Sequence, residues 1–180
     1  MPEVLVKRPP ALCKGCSHRD VFTDLNEALS LYGDKHVFSD IGCYTLGALP
    51  PFSAICSCVD MGASVTMAKG AADAGLRPAI CVIGDSTFTH SGMTGLLDAV
   101  NDQSPLTVVI SDNETTAMTG GQDSPGHGRL YSICAGLGVD PDHIRSIEPL
   151  KKNHAANIQV YREEVEYEGV SVIIASRECI

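Results

Sequence analysis

Short apolar runs alternate along the chain with longer stretches of mixed polarity. The runs are rich in β-branched residues, as expected for strands that are covered on both faces. They predict strands at residues 36–40, 54–58, 79–83, 106–111 and 170–176. The stretches between them predict helices at residues 18–31, 63–74, 92–100, 129–137 and 153–165. Gly75 and Gly138 stand where two of these helices would end.

The alternation of strands and helices predicts the fold class. It favours an α/β fold with three layers, in which a mostly parallel sheet carries helices on both faces. The length of 180 residues suits a single domain with a substantial core, and we expect residues 1–180 to form one. Ligands of such sheets bind outside the carboxyl ends of the strands, so the loops there are the first place to look for a site.

Composition narrows the class of protein. Hydrophobic residues make up 44% and charged residues 19%, which is ordinary for a globular protein in water. The net charge of −9 argues against a nucleic-acid partner or an anionic membrane surface. No apolar run approaches the roughly 18 residues of a membrane span, and "MPEVLVKRPP" lacks the features of a signal peptide. We therefore expect a cytoplasmic protein.

Three polar, glycine-rich loops leave the carboxyl ends of predicted strands. They are "SDIGCYTLG" (39–47), "GDSTFTHSG" (84–92) and "SDNETTAMTGGQDSPG" (111–126). Their convergence at one edge of the sheet is the main indication of function.

Asp85 and Asn113 each come directly after a predicted strand. If these strands are neighbours, a carboxylate, an amide oxygen and a nearby backbone carbonyl form an incomplete oxygen shell. Mg²⁺ takes such a shell and completes it with water and phosphate oxygens. The start of the helix at 92–100 would add N–H groups for a phosphate. The alternative is that Asp85 caps the helix and Asn113 makes a local turn.

The loop motifs together resemble a known family. "GDSTFTHSG" and "SDNETTAMTGGQDSPG" are similar to the thiamine-diphosphate motif of 2-oxoacid:ferredoxin oxidoreductases. "RPPALCKGCSHR" (8–19), "SDIGCYTLG" and "CVDMGASVTMAKG" (58–70) resemble the indolepyruvate branch, in the C-terminal domain of its alpha subunit. The resemblance implies the thiamine-diphosphate-binding fold and oxidative decarboxylation of a 2-oxoacid, such as indolepyruvate or another aryl pyruvate. It implies acyl-CoA as the product and ferredoxin as the electron acceptor.

The same resemblance implies roles for individual residues. Asp85 and Asn113 would bind Mg²⁺ through their side chains, and Thr115 through its carbonyl oxygen. Ser86 stands where the family usually has glycine, although serine occurs in the indolepyruvate branch. Besides Asp85, Asn113 and Thr115, the implied cofactor-binding positions are Cys43, Met61, Gly62, Gly84, Ser86, Thr87, Thr119 and Gly120.

Two histidines are candidate catalytic residues. His18 follows a Cys-x-x-Cys pair, and His90 lies in the second loop. His18 fits a residue of the pocket or of the helix start better than a metal ligand. His90 could face the substrate carboxylate, or it could hydrogen-bond locally at the start of its helix.

The chain has eight cysteines, and four of them match the positions of cluster ligands in related oxidoreductases. These are Cys13, Cys16, Cys43 and Cys179. Four thiolates suit a four-iron, four-sulfur cluster near the thiazolium, and they equally suit zinc. Unmetallated thiols are the third interpretation. The other four lie in or beside apolar segments and are interpreted as core residues: Cys56, Cys58, Cys81 and Cys134.

A thiamine enzyme also needs groups that this chain does not show. The carboxylate that activates the cofactor belongs to a pyrimidine-binding domain in this superfamily, and a ferredoxin-like domain would carry a Cys-x-x-Cys-x-x-Cys run. We expect both domains to be absent from residues 1–180. The chain would then act with 2-oxoacid, coenzyme A and ferredoxin only beside the remaining domains or a partner subunit, in a homo- or hetero-oligomer, and would be inactive alone.

Alternative functions remain open from the sequence. A subunit of a non-oxidative, thiamine-dependent decarboxylase of sulfo- or phosphonopyruvate would bind the same cofactor, although the cysteines count against it. A subunit that binds the cofactor without catalysis is another alternative. "GDS" and "DPDH" also match an esterase pattern, with Ser86, Asp140 and His143 as a triad. That pattern usually stands near the N-terminus and leaves the third loop unexplained.

Overall fold

A computed structural model describes residues 9–33 and 35–180. Arg8, the first residue of the cysteine motif, lies outside the described residues. The helices are α1 Ser17–Ala28, α2 Ala63–Asp73, α3 Asp85–Thr87, α4 Met93–Asp102, α5 Leu130–Gly136 and α6 His154–Glu166. The strands are β1 Val37–Ser39, β2 Ile80–Gly84, β3 Leu106–Asp112, β4 Thr115–Thr116, β5 Gln122–Asp123, β6 Ile144–Ile147 and β7 Val170–Ser176. Among these helices none is both long and apolar enough to cross a membrane.

Shorter helical turns complete the connections. A π-helical turn at Phe88–Gly92 joins α3 to α4, so that residues 85–102 form one interrupted helix. The 3₁₀ turns cover Leu29–Leu31, Cys43–Ala48, Ala117–Thr119, Pro141–His143 and Lys151–Asn153. Gly75 and Gly138 follow α2 and α5 with φ of +94° each, as predicted for residues that end helices.

The main sheet has the order β1-β2-β3-β7-β6, and every strand pair in it is parallel. The strands β4 and β5 form a separate antiparallel pair within the third loop. In the main sheet, the register places Gly84 of β2 beside Ser111 of β3. The predicted α/β class with a mostly parallel sheet is confirmed.

Helices cover both faces of the sheet, because consecutive strand residues point to opposite faces. Helices α2, α4 and α5 pack on one face against Cys81, Ile83, Val108 and Ile110. Helices α1 and α6 pack on the other face against Ile80, Val82, Val109 and Ile173. Residues Val108 to Ile110 of β3 are fully buried, which explains why this central strand is an uninterrupted apolar run.

The prediction of a strand at residues 54–58 is wrong. This segment runs along the outer edge of β1, where the Cys56 N–H donates to the Val37 carbonyl at 2.9 Å. The Ser57 hydroxyl accepts from the Ser39 N–H at 3.1 Å. Because the segment only borders the sheet, Cys56 and Cys58 are exposed, and their interpretation as core residues is also wrong. Cys81 and Cys134 are buried as predicted.

One strand of the sheet was not predicted. β6 is a four-residue edge strand whose ends, Ile144 and Ile147, are buried, while Arg145 and Ser146 between them are not. Such a short run with a charge in the middle carries too little apolar signal to be separated from a loop.

Candidate functional site

The candidate site lies where β2 and β3 end side by side. Asp85 directly follows β2, and Asn113 directly follows β3. Both side chains are buried, with residue exposures of 2% and 7%. The strands β2 and β3 are neighbours in the sheet, as the sequence argument for a shared site of Asp85 and Asn113 requires.

Three oxygen atoms converge at this point. The position of the Asn113 amide oxygen is 3.0 Å from the Thr115 carbonyl oxygen and 3.2 Å from Asp85 Oδ1, and both neighbours are acceptors. The second carboxylate atom, Asp85 Oδ2, is buried and has no hydrogen-bond partner within the described residues. Three acceptor oxygens this close repel one another. Turning the Asn113 amide over would relieve the repulsion, because its NH₂ group would then donate to the other two oxygens. A cation between the three oxygens would relieve this repulsion too, and a donor set of carboxylate, amide and carbonyl oxygens fits Mg²⁺.

Glu114 gives the backbone the shape that brings these oxygens together. Its φ is +65°, in the left-handed region that non-glycine residues seldom adopt. The Glu114 N–H donates to Asp112 Oδ1 at 3.1 Å, which fixes the turn. In this turn the Asn113 amide contacts both the Thr115 carbonyl oxygen and the Asp85 carboxylate.

The environment of Asp85 disfavours its charge in the absence of a cation. Burial raises the pKa of the Asp85 carboxyl to about 6, and the neighbouring Asp112 carboxylate raises it in the same direction. A bound cation would reverse both effects, since it favours the ionised carboxylate. The site is therefore electrostatically incomplete by itself.

A cavity of about 190 Å³ lies between the three loops and this oxygen set. Ten of the predicted site residues line it: His18, Cys43, Met61, Gly84, Asp85, Ser86, Thr87, Asn113, Thr115 and Thr119. The predicted Gly62 and Gly120 are in the turns next to lining residues rather than in the lining itself. A wider cleft of about 840 Å³ shares Asn113 and Thr115 and extends towards the C-terminal residues.

Close packing requires glycine at two of the predicted positions. A Cβ on Gly84 would lie 2.6 Å from Cε1 of Tyr44. Gly62 has φ of +90°, and a Cβ on it would lie 2.6 Å from Ser91 Oγ. The same Ser91 hydroxyl donates to the Met61 carbonyl at 2.6 Å. The turn that carries Met61 is thus fixed against the π-helical turn, a type of distortion that is frequent at functional sites.

The two candidate histidines differ in environment. His18 is 2% exposed, its Nδ1 lies 2.6 Å from Ser111 Oγ, and its ring meets that of Tyr44 edge-on. Burial, and next the positive charge of Arg177, lower the pKa of His18 to about 4, so the ring is neutral at physiological pH. His90 is exposed, and its Nδ1 hydrogen-bonds to Ser91 Oγ at 3.0 Å. This is the local hydrogen bond that the sequence offered as the alternative to contact with the substrate carboxylate. A catalytic role for either stays a prediction.

Two residues that support the site were not singled out by the sequence. Asp40 is fully buried, and its Oδ2 accepts from the N–H groups of Gly62 at 3.0 Å and Ser64 at 3.2 Å at the start of α2. The Tyr44 hydroxyl donates to Asp40 Oδ1. Burial raises the pKa of Asp40, and these donors oppose that effect. Both residues lie in the motif "SDIGCYTLG", but nothing in the sequence indicates that Asp40 faces α2.

The four candidate cluster cysteines lie close enough for their charges to interact, and Cys43 lines the cavity. Burial raises the pKa of the Cys16 thiol, and Cys13 and Cys179 add to the effect through their negative charge when ionised. Burial also raises the pKa of the Cys43 thiol, and the charges of Cys16, Cys179 and Cys13 act in the same direction. However, in residues 9–33 and 35–180 no three side chains of His, Cys, Asp or Glu are grouped closely enough to hold a metal ion. The thiols are neighbours, but they do not converge on one point.

The esterase triad does not assemble. Ser86 follows β2 at the carboxyl edge of the sheet, whereas Asp140 and His143 precede β6 at the opposite edge. His143 instead bonds to Glu164 at 2.9 Å and stacks on Tyr167. The esterase interpretation is therefore wrong.

Curated relatives match nearly the whole chain but are much longer. The chain is 36% identical, over 97% of its length, to "Indolepyruvate oxidoreductase subunit IorA" of Methanothermobacter thermautotrophicus. It is 37% identical, over 96% of its length, to the protein of the same name in Archaeoglobus fulgidus. It spans only about 30% of the length of these relatives.

Solved structures share the fold. A 2-oxoglutarate:ferredoxin oxidoreductase from Magnetococcus marinus superposes with a TM-score of 0.76 at 19% identity, over 97% of this chain and 66% of that chain. Benzoylformate decarboxylase from Polynucleobacter necessarius gives a TM-score of 0.69 at 16% identity, over 99% of this chain and 35% of that chain. At these identities the likeness concerns the fold alone.

A family description matches residues 40–173, which include strands β2 to β6, the first four residues of β7 and nearly all of the three loops. Its name is "Thiamine pyrophosphate enzyme, C-terminal TPP binding domain". The match covers well over half of the chain and includes Asp85, Asn113 and Thr115. The chain belongs to this family of thiamine-pyrophosphate-binding domains.

Proposed function

We propose that the chain binds the diphosphate of thiamine diphosphate through a Mg²⁺ ion held by Asp85, Asn113 and the Thr115 carbonyl. The convergence of three acceptor oxygens beside the unpartnered Asp85 Oδ2 carries this proposal. The helix that starts at Asp85 adds support, since the N–H groups of its first turn have no helical partner and suit a phosphate. Ser86 and Thr87 belong to that turn and line the cavity.

The proposed reaction is oxidative decarboxylation of a 2-oxoacid, with coenzyme A as acyl acceptor and ferredoxin as electron acceptor. Thiamine diphosphate, when bound, supplies the nucleophilic carbon and the electron sink that this chemistry needs. The chain's residues bind and orient the cofactor, and the loop with Thr119 and Gly120 excludes water. The relatives' name points to indolepyruvate, or an aryl pyruvate, as substrate. The solved neighbour is described with 2-oxoglutarate, coenzyme A and succinyl-CoA bound.

The rest of the enzyme is part of this proposal. A pyrimidine-binding domain and a ferredoxin-like domain would be supplied by the remaining part of a longer protein or by a partner subunit, in a cytoplasmic oligomer. The naming of the relatives as a subunit supports a partner chain. A non-oxidative decarboxylase is the alternative, and it would release CO₂ from the 2-oxoacid without any electron acceptor. If the assembled enzyme releases CO₂ from the 2-oxoacid without an electron acceptor, this alternative replaces the oxidative proposal.

Calorimetry tests cofactor binding directly. Thiamine diphosphate is titrated into the chain with Mg²⁺ and then with EDTA, using the wild type and the Asp85→Ala and Asn113→Ala variants. We expect binding that requires Mg²⁺ and that both substitutions abolish. Asp140→Ala, at the opposite edge of the sheet, is the matched control and should bind as the wild type does. If the chain alone is too weak a binder, the same series is run on the assembled enzyme. Equal binding by wild type and Asp85→Ala there would refute the proposal.

We also propose that Cys13, Cys16, Cys43 and Cys179 hold a four-iron, four-sulfur cluster. Their proximity supports it, although the thiols must rotate to converge on one cluster. Anaerobic reconstitution with iron and sulfide should give a chain with bound iron and sulfide, and Cys43→Ser should lower both. Cys56→Ser is the control, because Cys56 is exposed and lies outside the set. Preferential binding of zinc, or no metal at all, contradicts the cluster.

A further inference from the structure

The imidazole of His18 is held in one orientation beside the cavity. Its Nδ1 lies 2.6 Å from the hydroxyl oxygen of Ser111, a residue 93 positions away and 1% exposed. The edge of the Tyr44 ring, with centroids 6.1 Å apart, contacts the imidazole on another side. A ring with these contacts and 2% exposure cannot rotate freely.

The hydrogen bond to Ser111 selects the tautomer of the ring. The Ser111 hydroxyl proton needs an acceptor, and His18 Nδ1 is the one that the described part of the chain offers it. A neutral imidazole accepts at Nδ1 only when its proton is on Nε2. If Nδ1 carried the proton instead, the buried Ser111 hydroxyl would be left with no acceptor. The doubly protonated ring also carries a proton on Nδ1, so it would leave the hydroxyl in the same state.

The remaining nitrogen of His18 is left for a ligand. His18 lines the cavity, and across residues 9–33 and 35–180 nothing hydrogen-bonds to Nε2. Three hydroxyl donors of the lining are already used within the protein. The hydroxyls of Tyr44, Thr87 and Thr115 donate to Asp40, to the Ile41 carbonyl and to the Gln122 carbonyl.

We propose that Ser111 and His18 present a neutral Nε2–H donor to an oxygen of the bound 2-oxoacid. His18 is then a catalytic residue, and Ser111 is the positioning residue that sets its tautomer. The inference rests on the proposed function, because the 2-oxoacid must reach the cavity that the cofactor occupies. A fixed, buried donor aimed at an oxygen on which negative charge builds lowers the barrier without reorganising at the moment of reaction.

The tautomer is measured on the chain itself. Long-range ¹H–¹⁵N correlation spectra of histidine-labelled protein distinguish a protonated from an unprotonated ring nitrogen, and the His18→Gln variant assigns the signals. We expect an unprotonated Nδ1 and a protonated Nε2 in the wild type, and a mixture of tautomers in Ser111→Ala. A protonated Nδ1 in the wild type overturns the inference. This result does not depend on whether the cofactor binds.

Kinetics of the assembled oxidoreductase show whether His18 donates a hydrogen bond through Nε2 or only fills space in the cavity wall. The amide nitrogen of His18→Gln can reach the place of Nε2, whereas that of His18→Asn can reach only the place of Nδ1. We expect His18→Gln to keep kcat/KM for phenylpyruvate within about tenfold, and His18→Asn to lose about a hundredfold, as for loss of one preorganised donor. A structural role through Ser111 predicts the reverse order, and that order or an equal loss overturns the inference.

Calorimetry distinguishes failure of the proposed function from failure of the proposed role of His18. Both His18 variants should bind thiamine diphosphate as the wild type does, since neither changes the Asp85 oxygen set. If the wild-type enzyme does not bind the cofactor, the proposed function fails, whatever the His18 tautomer. If cofactor binding is intact but the two variants lose activity equally, only the role of His18 fails.

Discussion

At the scale of single residues, the site combines features that are unfavourable until a ligand binds. Glu114 holds a left-handed backbone, and Asp85 is a buried carboxylate without a positive partner among the described side chains. Both features place oxygens where a cation would meet them. Substitutions that remove either feature should therefore stabilise the unliganded chain and weaken the binding of metal.

The cost of the Glu114 backbone can be isolated with two variants. Glu114→Gly and Glu114→Ala both remove the side chain and its contact with His127, so they differ mainly in tolerance of φ +65°. We expect Glu114→Gly to be more stable than Glu114→Ala by about 1 kcal/mol. Urea denaturation without metal measures the difference. Equal stabilities would mean that the turn relaxes and that φ costs nothing.

The titration of Asp85 makes stability depend on pH. Its folded pKa of about 6 lies above the unfolded value of about 3.9, so the folded chain binds more protons between these values. Without metal, stability should fall as pH rises from about 4 to 6 and stay constant above. Asp85→Asn should remove this slope and be the more stable chain at pH 7. A wild type whose stability rises over this window, with the slope unchanged in the variant, would contradict the assignment.

Protons and Mg²⁺ should compete at the same carboxylate. Below pH 6 the Asp85 carboxyl is protonated in the free chain, so binding of Mg²⁺ with thiamine diphosphate must displace a proton. Affinity should fall by about tenfold for each pH unit below 6 and level off above it. Calorimetry between pH 5 and 8 measures this. An affinity that is flat from pH 5 to 7 would show that Asp85 does not bind the metal.

At the scale of elements, one histidine links the two helices of the α1–α6 layer. His154 Nδ1 lies 2.5 Å from Asp24 Oδ1, and its Nε2 lies 2.9 Å from Glu27 Oε2. Asn157 also donates to Asp24, at 2.8 Å. Hydrogen bonds to Asp24 and then to Glu27 raise the pKa of His154. Since both ring nitrogens face carboxylates, the bridge needs the doubly protonated ring.

The bridge should weaken in alkaline solution. A histidine whose folded pKa is raised stabilises fully below its unfolded pKa of about 6.5, and this stability is lost as pH rises through the folded pKa. We expect Tm of the wild type to decrease from pH 6 to 8, and His154→Gln to show a flatter profile. His36→Gln, at an exposed position, should keep the wild-type slope. Identical slopes in all three proteins would mean that Asp24 and Glu27 do not hold the charged ring.

At the scale of the whole molecule, the site opens at one edge of the sheet and the chain spans about 30% of its curated relatives. We therefore expect no turnover by the isolated chain with phenylpyruvate, coenzyme A and an electron acceptor, even when cofactor and Mg²⁺ are bound. An assay of acceptor reduction measures this, and the proposed complete enzyme, with its remaining domains, is the positive control. Substantial activity of residues 1–180 alone would show that no further domain is needed.

The sequence by itself determined the elements with strong local patterns and the chemistry of the loops. The apolar runs of β2, β3 and β7 mark buried parallel strands, because a strand covered on both faces must be apolar throughout. The loop motifs indicate the family and predict Asp85 and Asn113 as oxygen ligands, since both residues follow their strands directly in the chain. Prediction failed for β6, whose local pattern is weak, and for residues 54–58, an apolar run that only borders the sheet.

Only the tertiary structure decided which residues meet. It makes β2 and β3 neighbours, brings His18 to Ser111 across 93 positions, and sets Asp40 against the start of α2. It also moves the esterase-like residues to opposite edges of the sheet. The physical reason is that hydrophobic periodicity is a property of neighbours along the chain, whereas contacts between distant residues follow from the order of strands and the faces that helices cover.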